Sequence, residues 1–554
     1  MARLLGFQPK AFAYIIYQMP PTVKYTTFTI PKASGGTRTI KAPEKRLKNV
    51  QARISELLQD CISDINAQRN QKEKLSHGFR RGHSIMSNAY EHRGRHFVLN
   101  VDLEDFFGAI NFGRVRGFFM KNKSFALSER TATILAHIVC DRNSLPQGAP
   151  TSPVVSNLVT HILDVRLAKL ARRCGVHYTR YADDLTFSTN RRTFPDEVAA
   201  INADGKWVAG AALLKVITQA GFTLNAAKTR MQLQQSRQDV TGLVVNEKVT
   251  VRSEYFRETR AKCDRLFKTG KYVKKVATRS SDGSVKVTEQ EGTLDQLAGV
   301  LSFIDQVKKF KTAPNKKKDE RLSGAEWLYC QFLSYRHFYA PLMPVVVCEG
   351  KTDNIYIRCA LEALARSYPT LAKQEKTKVE LKIRLFRYTE ITRRLMGIAG
   401  GSGNFKRLIS KYSEIMKPFT AKVERFPVIL LVDNDSGAKD IYSCVKEKTK
   451  KSTVDGTESF YYLVDNLYVV PTPLTESGGQ TVIEDFLPSK SREEKLGGKT
   501  LYLGNGNLDT KKHYGKSLFA EHVIWKKRKE IDFTKMKPIL DRIALVVEDY
   551  ANKP

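Results

Sequence analysis

Apolar residues along this chain change period several times, and each change marks an element. Ala11 to Tyr17 form an apolar face that stops at Gln18 and Pro20–Pro21. This predicts an amphipathic helix within residues 1–24, without the h-region or cleavage pattern of a signal peptide. Tyr25 to Ile30 alternates, Lys32 to Arg38 is a basic, glycine-bearing turn, and Thr39–Ile40 resumes the alternation, so a hairpin is expected. Leu47, Val50, Ile54, Leu57, Leu58, Cys61 and Ile65 have helical spacing. Phe97 to Val101 reads as a buried strand ending at Asp102, residues 126–140 and 153–173 as helices, and Thr179 to Ser188 as strand, turn, strand. A basic helix, Tyr255 to Lys268, precedes a polar stretch, 269–292, expected as a loop, and helix returns from Leu294 to Phe310.

From Pro344 the pattern becomes α/β. Val345 to Cys348 and Val428 to Val432 are β runs that end in acidic residues, with helical segments between them. That is the signature of a mostly parallel sheet with ligands at the strand C-termini.

With 554 residues the chain exceeds one hydrophobic core, and two or three domains are expected. Lys and Arg number 92 against 57 Asp and Glu, a formal net charge of +35. Such an excess repels itself unless a polyanion offsets it, which points to nucleic acid. A membrane surface is disfavoured because the basic residues are spread along the whole chain, and no run is long enough to span a bilayer. The eight cysteines form no C-x-x-C pair and no Cys/His ligand spacing, so reduced thiols are expected rather than zinc.

Two constellations carry chemistry. In the first, Asp102 closes a β run and Tyr181-Ala-Asp183-Asp184 occupies a turn. Nucleotidyl transfer needs two divalent ions, and Mg²⁺ prefers a few carboxylates plus phosphate oxygens. An Asp pair in a turn alone is more often turn chemistry. Here, however, Leu145-Pro-Gln-Gly-Ala-Pro-Thr-Ser-Pro153 lies between the acids, and Gly221-Phe-Thr-Leu-Asn-Ala-Ala-Lys-Thr229 follows them. This order of basic hairpin, D-x-x-x-F-F, L-P-Q-G-x-x-x-S-P, Y-A-D-D and G-x-x-x-N-x-x-K-T resembles the reverse transcriptases.

The resemblance implies a multidomain fold of α/β and α+β character. Fingers and palm would occupy 1–250, a thumb 251–310 and a basic linker 311–341, ahead of a further domain at 342–554. It implies that Asp102, Asp183 and Asp184 hold two Mg²⁺ ions. It also implies that Phe107 excludes a ribose 2′-OH, that Gln147 touches the deoxynucleoside triphosphate, and that Lys32, Arg38 and Lys228 meet its phosphates. Asn88-Ala-Tyr-Glu-His92 and Val240-Thr-Gly242 are similar to the N-A-x-x-H and V-T-G signatures of the retron branch. Asn88, His92, Val240, Thr241, Gly242 and, on the basic helix, Arg257 and Arg260 are then expected to bind RNA. The retron resemblance implies a bacterial cytoplasmic enzyme that uses its own non-coding RNA. It would prime from a guanosine 2′-OH and make multicopy single-stranded DNA.

In the second constellation, Val345 to Cys348 leads into Glu349-Gly-Lys-Thr-Asp353, and Leu430-Leu-Val leads into Asp433-Asn-Asp435. With the glycine run 397–404 between them, these segments resemble the TOPRIM fold of topoisomerases, primases and overcoming-lysogenization-defect nucleases. That resemblance implies one or two Mg²⁺ held by Asp433 and Asp435, with Glu349 a further metal ligand or the general acid/base, Glu484 a further acid and Lys516 a transition-state stabiliser. No tyrosine nucleophile or zinc module stands out, so a nuclease of RNA, such as tRNA, or of DNA is expected, restrained by the RNA–DNA product in antiphage defence. The alternative is a catalytically inactive module for binding or homo-oligomerisation.

Overall fold

The computed structural model describes residues 1–31, 36–70, 74–279, 285–311, 322–376, 378–504 and 508–553. The chain packs as two compact units. The first holds Met1–Phe256 and two short later segments; the second holds Arg257–Ala277, Val287–Asp305 and the C-terminal part of the chain.

In the first unit, β1 (Tyr25–Pro31) pairs antiparallel with β2 (Thr37–Pro43), giving the expected hairpin. The short helix α1 (Ile85–Glu91) starts at Ser84 in a capping box with Ser87. Then come β3 (Phe97–Glu104), the long helix α2 (Ser152–Cys174), β4 (His177–Tyr181), β5 (Asp184–Thr189) and β6 (Thr223–Leu233). Pro153 sits in the first turn of α2, and Gly175 at φ +66° ends it. The four strands form one antiparallel sheet in the order β4-β5-β3-β6. Leu99, Val101, Leu103, Leu185 and Phe187 of the sheet share a core with Val155, Leu163 and Leu167 of α2. The acids of the first constellation therefore stand at the ends of strands that a packed helix holds in place.

The second unit contains β7 (Val345–Cys348), α3 (Asp353–Leu364), β8 (Arg384–Leu385), α4 (Ser402–Met416), β9 (Val428–Val432), β10 (Tyr461–Val464) and β11 (Leu467–Pro471). Its sheet runs β8-β7-β9-β11-β10, with parallel pairing except between β10 and β11. Every residue of β7, β9 and β11 is buried, which is why these strands read as continuous apolar runs.

Two expectations change, for the polar stretch 269–292 and for the linker. Of the expected thumb 251–310, Arg257–Ala277 and Val287–Asp305 both lie in the second unit. There Phe267 packs on Tyr335 at 5.5 Å and Phe419 at 5.0 Å between ring centroids. Within 269–292, Val273–Arg279 and Val285–Glu291 are strands, because their β-branched residues favour extended backbone. Of the linker 311–341, residues 312–321 lie outside the described residues. Gly324–Ser334 is instead a helix that starts in a Ser323–Glu326 capping box and buries Leu328, Tyr329 and Phe332. Among the described residues no helix is long and apolar enough to cross a membrane.

Candidate active site

β3 lies between β5 and β6, and Asp102 is in register with Asp184 on one side and Asn225 on the other. Residues directly opposed in antiparallel strands project to the same face, so the carboxylates of Asp102 and Asp184 are neighbours. Asp183 occupies the turn before β5, and its carbonyl accepts from the Leu103 amide at 3.0 Å, tying the turn to β3. Ala182 takes φ +57° to close that turn, and its carbonyl accepts from Arg180 Nη1 at 3.0 Å. Arg180 is itself fully buried in an ion pair with Asp164 at 2.7 Å.

The register of β6 slips between Asn100 and Asp102. Such a bulge re-aims side chains. Here Lys228 Nζ lies 3.0 Å from both oxygens of Asp102. Asp102, Asp183 and Lys228 line a cavity of about 920 Å³ together with Arg38, Phe107 and Gln147. Of the Phe pair, Phe106 is in the core, stacked on Phe222, while the half-buried Phe107 faces the cavity. Gln147 is brought in through its carbonyl, which accepts from the Lys41 amide of β2 at 2.8 Å. Gly148 has to be glycine. At φ +120° a Cβ would stand 2.9 Å from Ile40 Cγ2 and 3.0 Å from the Lys41 carbonyl. Lys32 lies outside the described residues.

The acids repel one another. Burial raises the pKa of Asp183, and the Asp102 charge adds to it. Asp184 is raised too, first by desolvation and then by Asp183 and Asp102.

The sequence profile described as "Reverse transcriptase (RNA-dependent DNA polymerase)" matches residues 30–245, which contain this whole cavity. The chain is 40% identical to the Retron Mx65 reverse transcriptase of Myxococcus xanthus over 40% of its own length and 51% of that protein's. It is 34% identical to Retron Mx162 reverse transcriptase of the same organism over 44% and 52%. The matches thus span about half the length of these two relatives. Against the Retron Ec86 reverse transcriptase of Escherichia coli, it is 35% identical over 44% of this chain and 70% of that one. The chain belongs to the retron reverse transcriptases.

The signature residues of this retron reverse transcriptase lie mostly inside the first unit. Asn88, His92 and Val240 are fully buried. His92 reaches Ser188 Oγ through Nδ1 and Thr179 Oγ1 through Nε2, both at 2.7 Å. Thr241 donates to the Ile85 carbonyl at 3.1 Å, and Gly242 turns the chain at φ +82°. Arg257 and Arg260 are exposed.

A second acidic centre lies in the second unit, beyond the matched segment. Glu349 leaves β7 and Asp433 leaves β9, both at C-terminal strand ends, and the Asp433 amide donates to Glu349 Oε2 at 3.2 Å. Asp433 Oδ1 accepts from the Ile483 amide at 2.9 Å. The next residue, Glu484, is fully buried, and Lys516 Nζ stands 3.0 Å from its Oε1. This pairs the buried carboxylate with an ammonium that is itself partly exposed. Asp353, to which the sequence reading gave no role, starts α3 and accepts from the Gly350 amide at 2.7 Å. Its position three residues after the strand-end glycine was the available signal. Burial, then Asp353, Glu484 and Glu349, push Asp433 up to about 8. Burial and Glu484 push Asp353 to about 6. Burial raises Glu349 as well, with help from Asp435 and Asp353. Asp435 accepts from the Gly437 amide at 2.8 Å and lines a cleft of about 460 Å³ with Lys439 and Lys446. Lys516 is raised: burial works against the charge, but Glu484, Asp433 and Asp353 outweigh it.

Among the described residues, no group of three or more His, Cys, Asp or Glu side chains is arranged to hold a metal ion. At the first centre Lys228 neutralises Asp102, and at the second Lys516 neutralises Glu484. The donor chemistry still suits a hard divalent cation. Each centre gathers carboxylates at one place, and burial first, then neighbouring negative charge, raises Asp183 and Asp184 at one centre and Glu349, Asp353 and Asp433 at the other, a cost that Mg²⁺ would relieve.

Proposed function

We propose that the first unit is an RNA-directed DNA polymerase. Asp102, Asp183 and Asp184 would hold Mg²⁺, which when bound supplies charge neutralisation on the phosphates and lowers the pKa of the attacking hydroxyl. Arg38 meets the triphosphate, Gln147 contacts the nucleotide, and Lys228 offers an ammonium beside the acids. Phe107 lies under the sugar, where a ring excludes a 2′-OH. The observation that carries this function is the cross-strand pairing of Asp102 with Asp184 beside a cavity lined by these groups.

In the retron reaction the chain would bind its own non-coding RNA, prime from a guanosine 2′-OH and leave multicopy single-stranded DNA on a branched RNA. Nucleic acid extracted from cells expressing the full chain with its flanking DNA tests this. A band sensitive to both RNase and DNase is expected with wild type and not with Asp183→Asn. The same band in both would contradict it.

For the second unit we propose a TOPRIM-like, Mg²⁺-dependent nuclease built on Glu349, Asp433, Asp435 and Glu484, with Lys516 stabilising developing charge. It would be restrained by the RNA–DNA product and released in antiphage defence. The acids at the ends of β7 and β9 support this. The Lys516–Glu484 pair, which neutralises one acid internally, is the feature that favours an inactive binding module instead. Mg²⁺-dependent cleavage of tRNA or DNA by the full chain, abolished by Glu349→Ala, separates the two.

A further inference from the structure

The buried signature residues lie on the same sheet face as the catalytic acids. Asp184, Thr186 and Ser188 alternate to one face of β5. Their opposed partners are Tyr181, Thr179 and His177 on β4, with Asp102 and Asn100 on β3, and these project to that same face. Behind the acids, Thr186 donates to Asn100 Oδ1 at 3.2 Å. Further along, the α1 segment supplies Asn88 and His92. Thr179 donates to Asn88 Oδ1 at 2.6 Å, so its oxygen accepts from His92 Nε2–H, which leaves Nδ1 to accept from Ser188. One imidazole therefore bridges both strands of the hairpin whose turn carries Asp183 and Asp184. The second signature closes the same network. Asn100 Nδ2 donates to the Asp239 carbonyl at 2.9 Å, and Thr241, at φ +48°, donates to the carbonyl of Ile85 in α1.

We propose that Asn88 and His92, acting through Thr179 and Ser188, are positioning residues that set the register and height of the 183–184 turn against β3, independently of RNA. This rests on the polymerase function proposed above. Burying several polar groups where apolar packing would suffice brings a specific return. A slip of one residue would turn Asp184 to the opposite face, and directional hydrogen bonds forbid that slip while apolar contacts tolerate it. Burial, with the His177 and His77 charges, holds the His92 pKa well below its usual value, so the imidazole keeps one donor and one acceptor.

The test uses the full chain, an unstructured homopolymer RNA template with a DNA primer, and rates normalised to titrated active sites. Thr179→Val and His92→Phe are expected to lower kcat by about tenfold or more, as a small misplacement of reacting groups does. KM for the primer–template should stay near wild type. Thr179→Ser, which keeps the hydroxyl, should restore kcat, as a folding defect alone would not require. Wild-type kcat in Thr179→Val, a loss confined to RNA affinity, or a loss that Thr179→Ser fails to restore would each overturn the proposal while leaving the polymerase function standing. A wild-type chain that extends no primer would sink both.

Discussion

Asp433 sits among Asp353, Glu484 and Glu349, with its pKa at about 8 in the folded chain. An unfolded aspartate titrates near about 4, so between these values the folded state binds the extra proton and stability falls as pH rises. With chelator present, the melting temperature of Asp433→Asn should therefore gain on wild type between about pH 5 and about pH 8.5. A constant difference would show that Asp433 ionises freely. If this centre takes Mg²⁺ as proposed, the ion would displace that proton, and its binding should tighten over the same interval. At the other centre, Phe107→Ala should raise incorporation of ribonucleotides relative to deoxynucleotides by roughly tenfold or more, the scale on which pockets discriminate by shape. Unchanged discrimination would place the sugar elsewhere.

At the scale of elements, the β1–β2 hairpin reaches the cavity by resting on the turn at Gly148. Gly148→Ala puts a methyl into Ile40 and the Lys41 carbonyl at a backbone angle that costs about 1–3 kcal/mol. Displacing the hairpin moves Arg38, so KM for the deoxynucleoside triphosphate should rise more than kcat falls. The opposite split in steady-state kinetics would detach the hairpin from nucleotide binding. Elements of this kind are legible because their signals are local. The alternation of 25–30 and 39–40, and the apolar runs that end at Asp102, Glu349 and Asp433, need only near neighbours. The roles of Asn88 and His92 are not local. A polar motif reads the same whether it meets RNA or the buried hydroxyls of Thr179 and Ser188. The packing of Phe267 on Phe419, far along the chain, is likewise invisible to a local pattern. Asp353 escaped assignment because its importance lies in Asp433 and Glu484, which only the fold brings beside it.

For the whole molecule, two acidic centres stand in two separate units of a chain that carries a formal net charge of +35. Counterion release then makes binding of RNA–DNA duplex fall steeply with salt, by about 10³-fold or more between low and moderate ionic strength if six or more phosphates are neutralised. A flat salt dependence in a filter-binding titration would contradict a backbone-tracking surface. The central claim is narrower: three aspartates on one palm sheet perform the polymerisation. Incorporation of a single labelled deoxynucleotide opposite an RNA template by the purified full chain measures this most directly, with wild type compared with Asp184→Asn, in Mg²⁺ and in chelator. The account predicts a product with wild type in Mg²⁺ alone and a drop of at least about 10²-fold in the variant. A wild-type chain without product, or a variant that matches it, would contradict the assignment.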